Sequence, residues 1–416
     1  MVAMKRRYLQ GAVEEVCFAN NKMAFISGPR QVGKTTLAKW LLKQRGSGKY
    51  YNWDQTEFRR QWVTAPSSLV EAGRNNEKKD KKKKPIIIFD EIHKAKYWKR
   101  TLKGIYDTLS YPVDIVVTGS ARLAVYRRGS DSLVGRYYHL RLHPFTLSEL
   151  ISPKGVDSDT FFKRLFNRSI SYKKEFEEYL SLLFSYSGFP EPLLAQNNRT
   201  LRLWRQSRIE RVIREDLRDL SRIPELSQIE MLAAILPERV GSPVSLTRLS
   251  LLLEVSHATI RRWLNYLSEL YYIYEVTPYH KNIARALKKS RKYYLWDYTE
   301  ISDTAARFEN LIAVHLLKSC DYWTDTGQGV FKLFYLRDKS KHEIDFLITK
   351  DGVPWLPVEV KLNEVLPSTN WDKFSKFLSC PYAIQIVRQP GYWKVYQRAQ
   401  YKLLVASASE VLSYFV

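Results

Sequence analysis

Two glycines separated by four residues and followed by a lysine and a hydroxyl residue, in Gly28-Pro29-Arg30-Gln31-Val32-Gly33-Lys34-Thr35, are the residue types needed to hold a polyphosphate. The glycines let backbone N–H groups approach the ligand. Lys34 supplies positive charge for β- and γ-phosphates, and Thr35 offers its hydroxyl to Mg²⁺. Thr36 continues the pattern and is counted with the cofactor-binding residues. A second pair, Asp90 and Glu91, ends an apolar run about fifty residues later. Asp90 at such a strand tip would bind the metal, directly or through water, and Glu91 would orient and polarise an attacking water. A polar side chain on the next strand tip, Thr118 or Ser120, is placed to sense a γ-phosphate. The chemistry expected is binding and hydrolysis of ATP with Mg²⁺.

A different constellation lies near the C-terminus. Asp345 sits within Glu343-Ile344-Asp345-Phe346-Leu347-Ile348, and Glu359-Val360-Lys361 closes the following apolar run. Period-two alternation puts Glu359 and Lys361 on one strand face. A turn through Lys350-Asp351-Gly352 would bring Asp345 beside them. Two carboxylates for a divalent metal and a lysine to stabilise developing charge are the parts of phosphodiester hydrolysis. The order helix, strand, strand, strand with D…ExK resembles the PD-(D/E)XK nuclease fold, and Glu309 matches the acidic residue such nucleases carry on their first helix. No proline precedes Asp345, which departs from that pattern.

The elements that must position these groups are legible from periodicity. Met23–Ser27, Lys49–Trp53, Pro85–Glu91, Val113–Thr118 and Tyr137–Leu142 read as strands, with helical spacing from Thr36 and over about 56–63 and 67–74. Strands alternating with helices imply a parallel sheet covered on both faces. Residues 155–235 read as helical, broken at Gly188-Phe189-Pro190. Ser245–Leu253 and His257–Tyr266, joined by a turn with Ser256 as N-cap, form a helix–turn–helix pattern. In a DNA-reading module the second helix would present His257, Thr259 and Arg261 to bases, with Arg262 beside them. Tyr271–Val276 would follow as a wing strand. Lys281–Lys292 is a basic cluster suited to phosphate backbone contacts.

Net charge is +24, and the lysine run 77–84 carries only +4 of it. A distributed excess of this size implies a polyanionic partner, most often nucleic acid. Three separated cysteines give no disulfide framework and no cysteine-based zinc site, as in a reducing compartment. No apolar run approaches the roughly 18–20 residues needed to span a bilayer. The expectation is a cytoplasmic protein with no membrane partner.

The set GPRQVGKTTL (28–37), IIIFDEIHK (86–94), IVVTGSARL (115–123), LVGRYYHLRLHPFTLSEL (133–150) and SGFPEP (187–192) resembles the prokaryotic AAA+ ATPases of AAA_14 type that carry a C-terminal domain of unknown function. The resemblance implies an α/β fold: a RecA-like, five-stranded parallel AAA+ core over 1–150, a helical lid over 151–235, a winged helix over 236–289, and an α/β nuclease-like domain over 290–416. It implies Walker B roles for Asp90 and Glu91 and a sensor at Thr118 or Ser120. It also implies an arginine finger acting across a subunit interface, at Arg136 or Arg122, and hence a homo-oligomer, a hexamer among the options. Three functions follow: an ATPase remodelling or translocating on duplex or branched DNA, an ATP-gated metal-dependent DNA nuclease of defence type, or a signalling ATPase whose C-terminal modules bind protein.

Overall fold

The computed structural model describes residues 6–74, 84–119, 133–216, 226–280, 290–374 and 377–416. Ser120, Arg122, most of the lysine run and the basic segment 281–289 lie outside the described residues. The chain divides into two compact units, one ending at His143 and the other running from Pro144 to Val416.

The first unit is built on five strands: β1 (Met23–Ser27), β2 (Gly48–Asn52), β3 (Ile86–Asp90), β4 (Asp114–Thr118) and β5 (Tyr137–Arg141). Their order is β2-β3-β4-β1-β5, and every pair is parallel. β1, β3 and β4 are buried along their whole length. Helices cover both faces of such a sheet, so central strands read as continuous apolar runs, as in Ile86-Ile87-Ile88-Phe89. One face packs on an aromatic cluster in which Phe89 meets Phe58 at 6.0 Å and Trp62 at 5.6 Å between ring centroids. Phe58 and Trp62 lie four apart on the helix Thr56–Thr64, so one helical face delivers both. A five-stranded, all-parallel sheet is the arrangement expected from the alternation of strands and helices.

Register decides what reaches the carboxyl edge. Asn52 pairs with Asp90, Asp90 with Thr118, and Thr118 with Ile26, the residue before Ser27. Three polar side chains thus end up in one row beside the loop that follows β1.

The second unit begins with helices. Lys174–Tyr186 ends at Ser187, which adopts φ 72°, and Pro190 starts the next helix at a position where its missing N–H costs nothing. Asn197 caps Asn198–Glu210 by accepting from the N–H groups of Arg199 and Thr200. Leu246–Leu252 is capped by Ser245, and His257–Glu269 by Ser256, whose hydroxyl accepts from the Thr259 N–H at 3.1 Å. Ile260, Trp263, Leu264 and Leu267 form the buried stripe of that last helix.

An eight-stranded mixed sheet completes the unit: β6 (Ile273–Pro278), β7 (Lys292–Leu295), β8 (Phe331–Arg337), β9 (Glu343–Lys350), β10 (Val353–Lys361), β11 (Tyr382–Val387), β12 (Trp393–Gln397) and β13 (Lys402–Ser407), in the order β12-β13-β11-β10-β9-β8-β6-β7. The 22-residue helix Thr304–Asp325, capped by Asp303, packs against β8, β9 and β10. Two expectations change here. The wing strand does not stand alone: β6 pairs antiparallel with β7 and also runs parallel to β8 through Thr277 and Pro278, so the hairpin belongs to the C-terminal sheet. Lys292, expected on a phosphate-binding surface, has no exposed area at all. The strands β12 and β13 were not anticipated.

Candidate nucleotide-binding site

The loop between β1 and the helix Lys34–Arg45 is shaped by its glycines. Gly28 has φ +150°, and a Cβ there would lie 2.2 Å from the carbonyl oxygen of Leu142. Gly33 has φ 98° and occupies the N-cap position without any side chain closing the helix end. The first N–H groups of a helix lack intrahelical partners and favour an anion. Gln31 takes a left-handed φ of 60°. Val32 is buried, and its carbonyl accepts from Arg7 at 2.6 Å. Arg30 is half-buried and Thr36 exposed.

Lys34, nearly buried, turns its ammonium back into the loop, donating to the carbonyls of Gly28 at 2.9 Å and Pro29 at 2.7 Å. Asp90 collects three hydroxyl donors. Its Oδ2 accepts from Thr35 at 2.7 Å and Tyr50 at 2.6 Å, and its Oδ1 from Thr118. Tyr50 was not identified from sequence; it reaches Asp90 because the edge strand β2 pairs with β3. Asn52 donates to the Tyr50 hydroxyl at 3.2 Å and steadies it.

Glu91 leaves the strand with φ 60°, a left-handed conformation uncommon for a non-glycine residue. Its N–H is held by the Thr118 carbonyl at 2.9 Å. Burial raises the pKa of its carboxyl, with Asp90 adding to the rise, while Lys34, Lys94 and Arg30 pull it back. Lys94 lies 3.8 Å from its Oε2.

These groups suit a magnesium nucleotide. A left-handed glycine cradle, an inward ammonium and a hydroxyl whose proton is committed to a carboxylate converge at one helix N-terminus. Arg136 is elsewhere: it precedes β5 at the opposite, amino edge of the sheet, where its guanidinium binds both oxygens of Asp107.

In the second unit, the turn at Asp351 and Gly352 folds β10 back on β9 with Val358 opposite Phe346. Asp345 accepts from the Val360 N–H at 2.8 Å, between Glu359 and Lys361. The Lys361 ammonium lies 3.0 Å from Glu359. Glu309 joins them electrostatically, and Asp345 is held well above the usual carboxylate range by burial and then by Glu309 and Glu359. The structure therefore brings together all four residues of the D…ExK constellation. Among the described residues, however, no group of three or more His, Cys, Asp or Glu side chains is arranged to hold a metal ion.

On the helix His257–Glu269, His257, Arg261 and Arg262 are exposed. Thr259 is not free in the same way, because its hydroxyl pairs with that of Ser256 at 2.9 Å within the cap. No helix among the described residues is long and apolar enough to cross a membrane.

Residues 20–151 match the family model of an AAA domain. Residues 174–299 and 305–404 match two domains of unknown function, DUF8612 and DUF4143. The chain is 25% identical over 361 residues to an uncharacterized protein of Haemophilus influenzae, covering 82% of each. It is 24% identical over 276 residues to an uncharacterized protein of Mycobacterium tuberculosis, a match spanning 66% of this chain and about half (54%) of that relative. Among solved structures, the Aeropyrum pernix Orc1 protein in complex with DNA aligns with a TM-score of 0.33 and 14% identity, over 74% of this chain and 91% of that one. AMPPCP-bound DnaA from Aquifex aeolicus aligns at 0.31 and 14%, over 63% and 86%. Likeness of that degree bears no weight on what this chain binds.

Proposed function

We propose, from the premise that residues 20–151 are an AAA domain, that this protein is a magnesium-dependent ATPase acting on DNA. The observation that carries the reading is the convergence of Lys34, Thr35 and Glu91 around Asp90. Magnesium ATP would supply the phosphoanhydride to be broken. Lys34 exchanges its loop carbonyls for phosphate oxygens. Thr35, whose hydroxyl donates a hydrogen bond to Asp90, would offer its lone pairs to the metal. Asp90 is fixed and aligned by Thr35, Tyr50 and Thr118, and Glu91 accepts a proton from water at its carboxylate. Thr118, through Asp90, makes the row responsive to whether a terminal phosphate is present. Arg136 lies at the far edge of its own sheet, paired with Asp107, so a role as arginine finger would take a second copy of the chain in a homo-oligomer.

The DNA part of the reading rests on the net charge of +24 and on the exposed His257, Arg261 and Arg262 along one capped helix of a helix–turn–helix. A polyanion is the partner such a surface fits. The test is an ATPase rate measured alone and with single-stranded, duplex and four-way-junction DNA, with Glu91→Gln as the inactive control. Stimulation by one DNA form supports the reading. ATP turnover indifferent to every DNA, with no salt-sensitive DNA binding, points to the protein-binding alternative.

A further inference from the structure

Lys292 is the most deeply buried cation of the C-terminal sheet. It sits on β7, the second strand of the wing hairpin, with no exposed area. Its ammonium donates to Oε1 of Glu343 and lies 3.7 Å from Oε1 of Glu309. The ring of Tyr335 lies under it at 5.2 Å. Glu343 is shared with Arg337 at 3.1 Å, and Glu309 also accepts from the Tyr294 hydroxyl at 2.7 Å. Burial works against the Lys292 charge, yet Glu309, Asp345 and Glu343 outweigh it and carry its pKa above the ordinary lysine value.

Four acids and three bases share this region. Glu309, Glu343, Asp345 and Glu359 face Lys292, Lys361 and Arg337. A carboxylate cluster of this kind, half-buried at Glu309, Glu343 and Asp345 and buried at Glu359, is costly without a cation inside it. In a metal-dependent nuclease, that cation is a divalent ion. Here an ammonium already occupies the space among the acids. One further oxygen is left over: burial pushes the Glu359 carboxyl up, with the Lys361 ammonium pulling it back, and its buried Oε2 makes no hydrogen bond of ordinary geometry.

We propose that the Lys292 ammonium is the resident cation of this acidic cluster, holding Glu309, Glu343 and Asp345 together in place of a divalent metal. The C-terminal sheet is then a metal-independent mount for the β6–β7 hairpin; Glu309, Glu343, Asp345 and Glu359 form no metal-holding group as they stand, and removal of the lysine charge frees them to close on a divalent cation. The inference is independent of the nucleotide site.

The test uses the full chain without nucleotide and Mn²⁺ as the probe, with free Mn²⁺ followed by electron paramagnetic resonance. Wild type and Asp345→Asn should bind Mn²⁺ equally, because any weak binding they share resides elsewhere. Lys292→Met should gain one site roughly tenfold or more tighter than any in wild type, lost again in the Lys292→Met, Asp345→Asn double variant. Lys292→Arg, which keeps the charge, should gain none. The proposal is overturned if wild type holds Mn²⁺ that Asp345→Asn releases, or if folded Lys292→Met gains no site. Should Lys292→Met fail to fold with or without Mn²⁺, the comparison of wild type with Asp345→Asn decides alone.

Discussion

The Thr35 hydroxyl donates to Oδ2 of Asp90 at 2.7 Å, although 55 positions separate the two residues in the chain. One is the first-turn residue of a helix and the other the last residue of a strand, and the bond locks the phosphate loop to the strand tip. Because the proton points at Asp90, the oxygen's lone pairs point away from it. Thr35→Ser preserves this geometry and should keep ATP turnover within a few-fold. Thr35→Ala should lower Mg²⁺-dependent turnover by roughly a hundredfold or more, as expected for loss of a metal-positioning group. Steady-state ATPase rates over a Mg²⁺ series check both.

Glu91 gives a prediction in pH. Burial raises its pKa, and a general base works only when ionised. The rate should therefore rise with pH through a midpoint above the ordinary glutamate range, so the acid limb of the pH–rate profile lies higher than for an exposed carboxylate. Glu91→Gln should remove that limb together with most of the turnover, about a hundred- to a thousandfold, while ATP affinity changes little. Single-turnover rates and equilibrium nucleotide titration separate the two effects.

A stability prediction comes from Glu300, beside the helix–turn–helix. It accepts from the Tyr272 hydroxyl at 2.7 Å and lies 3.5 Å from Arg208. Burial, then Asp297, pushes its pKa up from 4.5 to about 7. The folded chain thus holds a proton that the unfolded chain has released between these values. Its contribution to stability is complete below about pH 4.5 and is lost as pH rises toward 7, on the order of 3 kcal/mol across that window. Glu300→Gln should flatten this slope, as read by denaturant unfolding at pH 5 and pH 8.

Arg261 and Arg262 are exposed on the helix capped by Ser256. If each meets a DNA phosphate, each alanine substitution should weaken binding about equally across sequences and reduce the slope of log K against log salt by about 1. Trp263, buried between them and the core, offers the contrast: Trp263→Ala should cost about 3–5 kcal/mol of folding stability. Fluorescence anisotropy at several salt concentrations and thermal unfolding distinguish surface from core.

The parallel sheet could be read ahead because β1, β3 and β4 are apolar throughout, and the phosphate loop because its pattern is local. Tyr50 could not. Its hydroxyl reaches Asp90 only through the β2–β3 register, and Lys49-Tyr50-Tyr51 looks the same on paper in any edge strand. Lys292 was misplaced for a related reason. At the end of a basic run it reads as solvated, and only the pairing of Val276 with Lys292 and the approach of Glu309 and Glu343 reveal that its charge is answered inside. β12 was missed because Trp393-Lys394-Val395-Tyr396-Gln397 is half exposed along its length, and β13 because nothing in Lys402–Ser407 announces which strand it joins. The D…ExK face was anticipated through strand alternation; the lysine from another hairpin that sits among its acids was not.

The alignment of Thr277 with Phe334 and Pro278 with Tyr335 ties the end of β6 directly to β8. A pull on β6 travels as shear along a single hydrogen-bonded slab. Cutting the polypeptide after Pro278 would strip β6 of its antiparallel neighbour and leave a raw apolar margin open to pairing with other molecules. Shortened versions should end at His143, where the first compact unit closes, or not at all.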